Sequence, residues 1–468
     1  MSANKKTVIF VSLVSILIVL NTNVQADECD YSENVVLTIK SCNYLEYVQE
    51  FTNHSFLLIV NTSCNLSEFD FRIDGRYNYS NFIINLGSPS ERYTKIVFEV
   101  YEIVNESYKK CDLDSKKGIG SAEIIFDNFM GYWIGDDQLG DKSGYGHLNG
   151  CDDESFYEFE RDFELCFSID ILDPDQDNIP IWFEENIYNT NPLVDDSERD
   201  DDNDKIPLYW EWKWDYNPFE YENHKEIDPE EDGLNNYEEY LVSEWDSDPY
   251  HKDIFVELDH MQPGGDGYDF LLPRTSIIMV YQTYAKRNIM FHVDDGCMGG
   301  GELIPYDSIV WFGEEKEYYK KYFLHDDEDN WRRGVFRYAI YVQNAFPISG
   351  LEFPGENSLL HYFDPGLNSY IISIKAFKDY SNFKHACIML HELGHTLGIH
   401  IGKPLGCDNQ IMRIPFSFQR LLFKNYKSVM NYKYAYSILD YSDGSHGFGD
   451  YNDWENIDLT YFQPYGAE

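Results

Sequence analysis

Basic side chains are scarce in this chain. Its 468 residues include 36 Lys and Arg against 83 Asp and Glu, which leaves a formal net charge of −47 at pH 7. So much negative charge is repelled by phosphate backbones and anionic lipid surfaces, so we expect no nucleic-acid partner. Two explanations of the charge stay open, bound divalent cations and a very salty habitat. The free use of Lys, Tyr and Asn favours bound calcium.

Long apolar runs are lacking beyond the first residues. Residues 1–26 contain Lys5 and Lys6, an apolar run from Val8 to Leu20, and a small residue at Ala26. This pattern is typical of a secretory signal peptide, and the run is short for an uncleaved membrane anchor. We therefore expect a secreted, extracellular or cell-surface protein. Membrane association is expected only through the signal segment, if that segment is left uncleaved.

Cysteines are few and odd in number, nine in all. An exported chain is expected to form disulfide bonds, but the sequence does not give their pairing and leaves at least one thiol over. Asn-x-Ser sequons cluster in the first quarter of the chain and predict a glycoprotein. They begin at Asn53, Asn61, Asn65, Asn78 and Asn105.

The rest of the chain divides into three predicted parts. Residues 27–168 hold short alternating runs such as "KIVFEVYEIV" and "ELCFSIDI", separated by Gly, Asn and Asp. They predict an all-β accessory domain, sandwich-like or barrel-like. Residues 169–251 are an acidic repeat. Residues 252–468 combine strands such as "DIFVELDHM" with helical periodicity in "RTSIIMVYQTYAKRN", which predicts an α+β domain.

The acidic repeat has three copies of twelve residues. Each copy has acidic residues at positions 1, 3 and 5, an apolar residue at 7 and Glu at 12, which are the ligand positions of a calcium loop. Position 6 needs a sharp turn, which suits Gly233 best and Lys205 least. The predicted calcium ligands are Asp173, Asp175, Asp177 and Glu184; Asp200, Asp202, Asp204 and Glu211; Asp228, Glu230, Asp232 and Glu239.

These loops resemble EF-hand loops, and their serial spacing is similar to thrombospondin type 3 calcium repeats. The plain alternative is a solvated acidic linker, but three copies in register, each ending in Glu, argue against it. We expect structural calcium, because this much carboxylate would otherwise repel itself. The loaded repeats would form a stiff spacer before the last domain.

The stretch "MLHELGHTLGIH" at residues 389–400 has the spacing of a metal site. His391 and His395 are one helical turn apart on the same face, and Glu392 lies beside the first. Two imidazoles suit a Zn²⁺ that keeps an open position, and the Glu suits a general base. Gly398 would let the chain leave the helix sharply.

Downstream, "SVMNY" at residues 428–432 offers a Met-containing turn with a Tyr two residues later. Together these motifs resemble the metzincin clan of zinc metallopeptidases. The chain looks like the exported archaeal and bacterial type that carries calcium repeats before its peptidase domain. The resemblance implies that both His bind zinc and that the Glu is the catalytic base. It also implies that Met430 is an apolar floor below the metal and Tyr432 a catalytic residue near it.

The chain departs from the clan at the third zinc ligand. The family has a His six residues after the second one, where this chain has Ile401. His400 lies one residue early and is the first candidate. Asp408 is the alternative, because carboxylates also serve as third ligands. A third alternative is an inactive relative with a damaged site.

The function expected from the sequence is a secreted zinc metalloendopeptidase that acts on a peptide or protein substrate and is stabilised by calcium. Its fold would be multidomain, with a β-sandwich-like domain, a calcium-repeat spacer and an α+β metzincin-like peptidase domain. The alternative is a calcium-dependent adhesion or surface-binding protein with an inactive peptidase fold. Glu392 favours the enzyme, since a binding protein has no need of it.

Overall fold

A computed structural model describes most of the chain between residues 35 and 461. The described residues are 35–45, 54–62, 66–73, 78–87, 92–105, 107–114, 118–128, 131–137, 145–150, 161–170, 173, 175–177, 179–264, 271–311, 314–346, 350–352, 369–373, 381–400, 404–408 and 422–461. The signal segment 1–26 lies outside them, as do Ile401 and Asn53. None of the helices in these ranges is long and apolar enough to cross a bilayer.

The N-terminal part is built from antiparallel strands, as the alternating runs predict. One sheet has the order β4-β1-β10-β9 and the other β3-β2-β5-β7-β8, with β6 beside β5. Side chains of both sheets share one apolar core. The strands are β1 Val35–Tyr44, β2 His54–Thr62, β3 Leu66–Ile73, β4 Asn78–Gly87, β5 Tyr93–Val104, β6 Ser107–Lys110, β7 Ala122–Asp127, β8 Trp133–Gly135, β9 Tyr145–Asn149 and β10 Phe163–Asp170.

The two faces of β10 have different chemistry. Leu165 and Phe167 point into the apolar core and are fully buried. Glu164 and Cys166 alternate with them and therefore point to the opposite face. That face is buried as well, with Glu164 0% exposed and Cys166 3% exposed. Its polar side chains are covered by the C-terminal part of the protein, to which Asn149 donates a hydrogen bond of 2.9 Å at the carbonyl of Ala285.

Short helices follow the acidic loops in register. Each helix begins at the ninth position of its twelve-residue loop, which is the same place in all three copies. Small aromatic clusters pack between the helices and replace a large core. The helices are α1 Ile181–Phe183, which continues as a π-helical turn Glu184–Tyr188, α2 Leu208–Trp214 and α3 Asn236–Leu241, with 3-10 turns at His224–Glu226 and Ser243–Trp245.

The C-terminal part is a mixed sheet with helices. Its main sheet has the order β12-β11-β15-β18-β17, with β13 also paired to β11. All pairings in it are parallel except that of β17 with β18. The strands are β11 Lys252–Met261, β12 Ile289–Asp294, β13 Leu303–Ile304, β14 Val310–Trp311, β15 Phe336–Val342, β16 Ala345–Phe346, β17 Gly350–Glu352 and β18 Ser369–Ser373.

Helices α4 and α7 pack against each other, and α7 carries the HExxH stretch. The predicted strand in "DIFVELDHM" and the predicted helix in "RTSIIMVYQTYAKRN" are both confirmed, as β11 and α4. The helices of this part are α4 Arg274–Ala285, α5 Glu315–Tyr318, α6 Arg332–Val335 and α7 Asn382–Thr396, with a π-helical turn at Tyr319–Phe323.

Disulfide pairing stays a prediction for most of the cysteines. Cys111, Cys297 and Cys387 carry free thiols. Cys387, on α7, is fully buried in the apolar core of the C-terminal part. Cys29, Cys64 and Cys151 lie outside the described residues.

Candidate metal centres

Helix α7 brings the three residues of the His-Glu-x-x-His motif to one buried place. Its apolar positions pack into the core of the C-terminal part, which also buries the polar side chains between them. His391, Glu392 and His395 are 6%, 7% and 8% exposed. The imidazole rings of the two His lie edge to face with centroids 4.9 Å apart.

Backbone carbonyls fix the orientation of both imidazoles. Nδ1 of His391 lies 2.9 Å from the carbonyl oxygen of Val429, and Nδ1 of His395 lies 2.7 Å from that of Ile399. A carbonyl oxygen only accepts, so each Nδ1 carries the proton and donates it. Nε2 is then the atom of each ring that is left to bind a metal, which is the usual arrangement of a zinc-binding His.

The carboxylate of Asp408 faces both Nε2 atoms. Its Oδ1 lies 3.2 Å from Nε2 of His391, and its Oδ2 lies 3.5 Å from Nε2 of His395. Two ligand atoms about 2.0–2.1 Å from a tetrahedral zinc are about 3.3 Å apart, so these spacings match one ion held between the three side chains. Oδ1 is buried and makes no contact with hydrogen-bond geometry among the described residues. A cation would satisfy it.

The charges in this cluster also favour a cation. Burial alone would raise the pKa of Asp408, but His395 and His391 beside it lower that pKa to about 2. Burial lowers the pKa of His395 to about 4, so this imidazole is neutral at pH 7. Burial lowers and the adjacent Asp408 raises the pKa of His391, which comes to about 9. A zinc ion would therefore displace a proton from His391, because an ionised carboxylate and a neutral imidazole are the forms of these groups that bind zinc.

His400 does not belong to the group formed by His391, His395 and Asp408. Its ring instead stacks on Tyr461, with centroids 5.6 Å apart. The physical reason is the spacing after Gly398, which ends the helix with a φ of 86°. His400 follows this turn by two residues and its ring packs on Tyr461, whereas Asp408 faces the two imidazoles.

The Met turn supports the helix from below. Met430 is fully buried, and a Cβ atom added to Gly394 would lie 2.6 Å from its sulfur. Gly394 therefore allows the turn to approach α7 between the two His. The carbonyl of Met430 accepts the backbone N–H of Asp408 at 3.1 Å, so the turn also positions the carboxylate.

Glu392 and Tyr432 flank the cluster. Burial raises the pKa of Glu392 to about 7, with His391 acting against the shift and Asp408 adding to it. The Tyr432 ring stacks on His391 at 5.5 Å between centroids and is 42% exposed. Burial and the nearby Asp408 raise the pKa of the Tyr432 hydroxyl, so it stays protonated and can donate a hydrogen bond.

Sequence reasoning missed several supporting residues. Ser428 accepts the backbone N–H of Met430 at 3.1 Å, and Asn431 donates from its side chain to the carbonyl of Tyr426 at 2.8 Å. Both belong to "SVMNY", so the motif contained a signal for them. Tyr441 donates to the carbonyl of Leu390 on α7 at 2.7 Å, and no pattern in the sequence pointed to it.

The three acidic loops have the same internal hydrogen bonds. In each loop the first Asp accepts a backbone N–H from three or four residues further on, which closes the loop. The Asp at position 5 of each loop accepts two backbone N–H groups. One comes from two residues further on, and the other comes from 18 to 21 residues further on and joins the loop to the start of the next segment. These longer-range hydrogen bonds join Asp177 to Asp196 at 3.1 Å, Asp204 to Glu222 at 3.4 Å and Asp232 to Asp253 at 2.6 Å.

The sixth position turns as predicted in two of the copies. Gly233 has a φ of 98° and Lys205 a φ of 85°. A left-handed backbone is ordinary for Gly and disfavoured for Lys, so at this position the second loop is strained and the third is not. The sixth residue of the first loop lies outside the described residues.

Carboxylates at the third and twelfth positions of the loops are buried without hydrogen-bond partners among the described residues. Burying such oxygens without donors is costly, and a cation in the loop would remove that cost. Burial, followed by repulsion from neighbouring carboxylates, raises the pKa of Glu211 to about 9 and that of Glu230 to about 10. The oxygens are both of Asp175, Oε2 of Glu184, Oδ2 of Asp202, and both of Glu211, Glu230 and Glu239.

Gly394→Ala tests the contact below the metal helix. The added methyl group would clash with Met430, and overpacking of this kind lowers the free energy of unfolding by about 1–3 kcal/mol. The higher helix propensity of Ala would return about 1 kcal/mol of that stability. We expect a lower melting temperature and weaker retention of zinc. Met430→Ala makes room, so Gly394→Ala should cost less in that background. Equal losses in both backgrounds would show that the contact is unimportant.

Comparisons with known proteins give no family. No family model and no curated protein matches the sequence. Among solved structures the chain is similar to human GIVD cytosolic phospholipase A2 in complex with an inhibitor and terbium chloride, with 8% identity and a TM-score of 0.18. That match covers 30% of this chain and 17% of the other. A similarity this low carries no argument about fold or activity.

Proposed function

We propose that this chain is a secreted zinc-dependent endopeptidase of the metzincin type, stabilised by calcium. The observation that carries the proposal is the meeting of His391, His395 and Asp408 around one point, with Glu392 on the same helix. Two imidazoles and one carboxylate make a three-ligand zinc site that leaves a position open for water and substrate. Asp408 thereby takes the place of the clan's third His.

The chain's own residues supply the acid–base chemistry. A zinc ion at this site supplies a Lewis acid that acidifies water and polarises the scissile carbonyl. Glu392 is the base that accepts a proton from the attacking water, and a pKa near 7 suits that task at neutral pH. Tyr432, stacked on His391 and partly exposed, donates a hydrogen bond to the oxyanion that develops on the substrate.

An extended peptide is the substrate class that the sheet favours. Strand β17 is antiparallel to β18 and packs near helix α7. Among the described strands only β18 pairs with it, so its other edge can pair with an extended chain. Backbone hydrogen bonds along that edge would hold the peptide close to Glu392.

Calcium in the three acidic loops is the second part of the proposal. The shared hydrogen-bond pattern and the unpaired oxygens at the third and twelfth positions support one ion in each loop. The last loop is joined directly to the peptidase sheet, since Asp232 accepts the N–H of Asp253 at the start of β11. Bound calcium would therefore make the connection between the repeats and β11 of the C-terminal part more rigid.

A calcium-dependent adhesion protein with an inactive site is the second candidate. The acidic repeats and the β-rich N-terminal part fit it equally well. The buried Glu392, placed beside the three metal-ligating side chains, favours the enzyme, because holding a carboxylate there is costly without a catalytic use.

Glu392→Gln is the direct test of catalysis. The amide keeps the shape of the side chain but cannot accept a proton, so hydrolysis of casein should fall about 10²-fold or more while zinc stays bound. Zinc content, measured on the same samples, is the control for folding. Retained activity would mean that the base is another residue, and absence of activity in the unaltered chain would favour the adhesion protein.

Asp408→Ala and His400→Ala form a matched pair for the third ligand. Loss of a ligand should weaken zinc binding by more than the roughly 10–100-fold that loss of an outer-shell partner costs. We expect Asp408→Ala to lose zinc in an equilibrium competition assay, and His400→Ala to keep it. The reverse result would restore His400 as the ligand and reject the geometry argued above.

Calcium dependence should change with pH. Loop carboxylates such as Glu211 and Glu230 have folded pKa values above their unfolded ones, so without calcium they destabilise the fold as pH rises above about 4. Bound calcium stabilises the ionised form. The gain in melting temperature on adding calcium should therefore be larger at pH 8 than at pH 5. A gain that is independent of pH, or no gain, would contradict calcium in these loops.

A further inference from the structure

A second cluster of metal-ligating side chains lies on the outer face of the four-stranded sheet. The antiparallel register places Cys166 of β10 opposite His147 of β9. Glu164 is two residues before Cys166 and therefore on the same face. One ligand atom from each of the three lies within 4.8 Å of the others. All three side chains are almost fully buried, since Cys166 is 3%, His147 2% and Glu164 0% exposed.

His251, in the segment just before β11, lies beside this group of three without being a member of it. Its ring centroid lies 5.4 Å from that of His147. Its Nε2 lies 3.0 Å from Oδ1 of Asn288, which accepts, so Nε2 carries the proton and Nδ1 has the lone pair. Nδ1 is buried and has no hydrogen-bond partner among the described residues.

We propose that His147, Glu164 and Cys166 bind a structural zinc ion between the N-terminal part and the C-terminal part, and that the neighbouring His251 turns its Nδ1 to the ion as the fourth ligand. One thiolate and one carboxylate balance the charge of Zn²⁺, and a thiolate with two imidazoles selects zinc over calcium or magnesium. Four protein ligands leave no open position, which distinguishes this site from the catalytic one. Zinc would replace the proton shared over the 2.7 Å between Nε2 of His147 and Oε1 of Glu164.

The surroundings fit a structural ion. Oε2 of Glu164 accepts hydrogen bonds from Asn43, at 2.8 Å, and from the hydroxyl of Tyr281 on α4. Such outer partners orient a ligating carboxylate. A cavity of about 450 Å³ lined by Cys166, Asn43 and Tyr281 borders the cluster and gives an ion a way in.

The ion would connect the two parts of the protein near the catalytic helix. His147, Glu164 and Cys166 belong to the N-terminal sheet, whereas His251 leads into β11 of the peptidase sheet. Tyr281 belongs to α4, which packs against α7. The β-rich N-terminal part would thus be clamped to the helix pair that holds the catalytic residues. The alternative explanation of these contacts is a buried ion pair between His147 and Glu164 without a metal ion.

Cobalt substitution separates the two accounts. The full chain, kept in calcium, is stripped of zinc and loaded with Co²⁺. A thiolate ligand gives a thiolate-to-cobalt charge-transfer band in the near ultraviolet, and the proposed catalytic ligands include no Cys. We expect this band in the unaltered chain, its loss in Cys166→Ser, and its retention in Cys297→Ser, which removes an exposed thiol on the same cavity.

The unaltered chain decides the question even if Cys166→Ser fails to fold. Bound cobalt without a charge-transfer band would show that no thiolate ligates, and the ion pair alone would remain. A band that persists in folded Cys166→Ser would come from another thiol and would also overturn the proposal. Asp408→Ala should lose one metal ion and keep the band, so failure at the catalytic site and failure at this one are distinguishable.

Discussion

Buried negative charge without matching donors is the constraint on which this structure depends. In the part of the chain that the structure describes, several carboxylate oxygens of the acidic loops and one oxygen of Asp408 are buried without a hydrogen-bond partner. Each would cost several kcal/mol as an uncompensated ion in a medium of low polarity. With so few Lys and Arg in the chain, metal ions are the natural source of the missing positive charge. If these sites bind metal as proposed, metal binding and folding are one process.

The same constraint links distant parts of the chain. The third acidic loop ends in a carboxylate, Asp232, that accepts the N–H of Asp253. The side chain of Asp253 in turn lies 2.7 Å from Nε2 of His292 on β12. The loop is therefore joined to two neighbouring strands, β11 and β12, of the main C-terminal sheet. On the opposite side, Glu164 and Tyr281 join the N-terminal sheet to α4. The C-terminal part is thus joined both to the acidic repeats and to the N-terminal sheet by polar contacts whose strength depends on charge.

Local patterns predicted the elements well, and long-range geometry less well. Alternation in "KIVFEVYEIV" gave strand β5, and periodicity gave α4, because both depend on burying one face. The twelve-residue spacing also gave the repeats, whose helices all begin at the ninth position. The weaker prediction was the third ligand, since His400 was preferred for its ligand chemistry and for its place just past Gly398. Which way a side chain points after Gly398 depends on the backbone there and on the Met turn that holds Asp408, and neither is local in sequence. The cluster of His147, Glu164 and Cys166, with His251 beside it, was not predicted from the sequence for the same reason.

Anomalous diffraction at the zinc absorption edge, from crystals of the unaltered chain grown with zinc and calcium, tests the central claim most directly. The account predicts a peak about 2.0–2.2 Å from Nε2 of His391, Nε2 of His395 and an oxygen of Asp408, with Glu392 beside the open side of the ion. No peak between these side chains, or a peak held by His400 instead of Asp408, would contradict it.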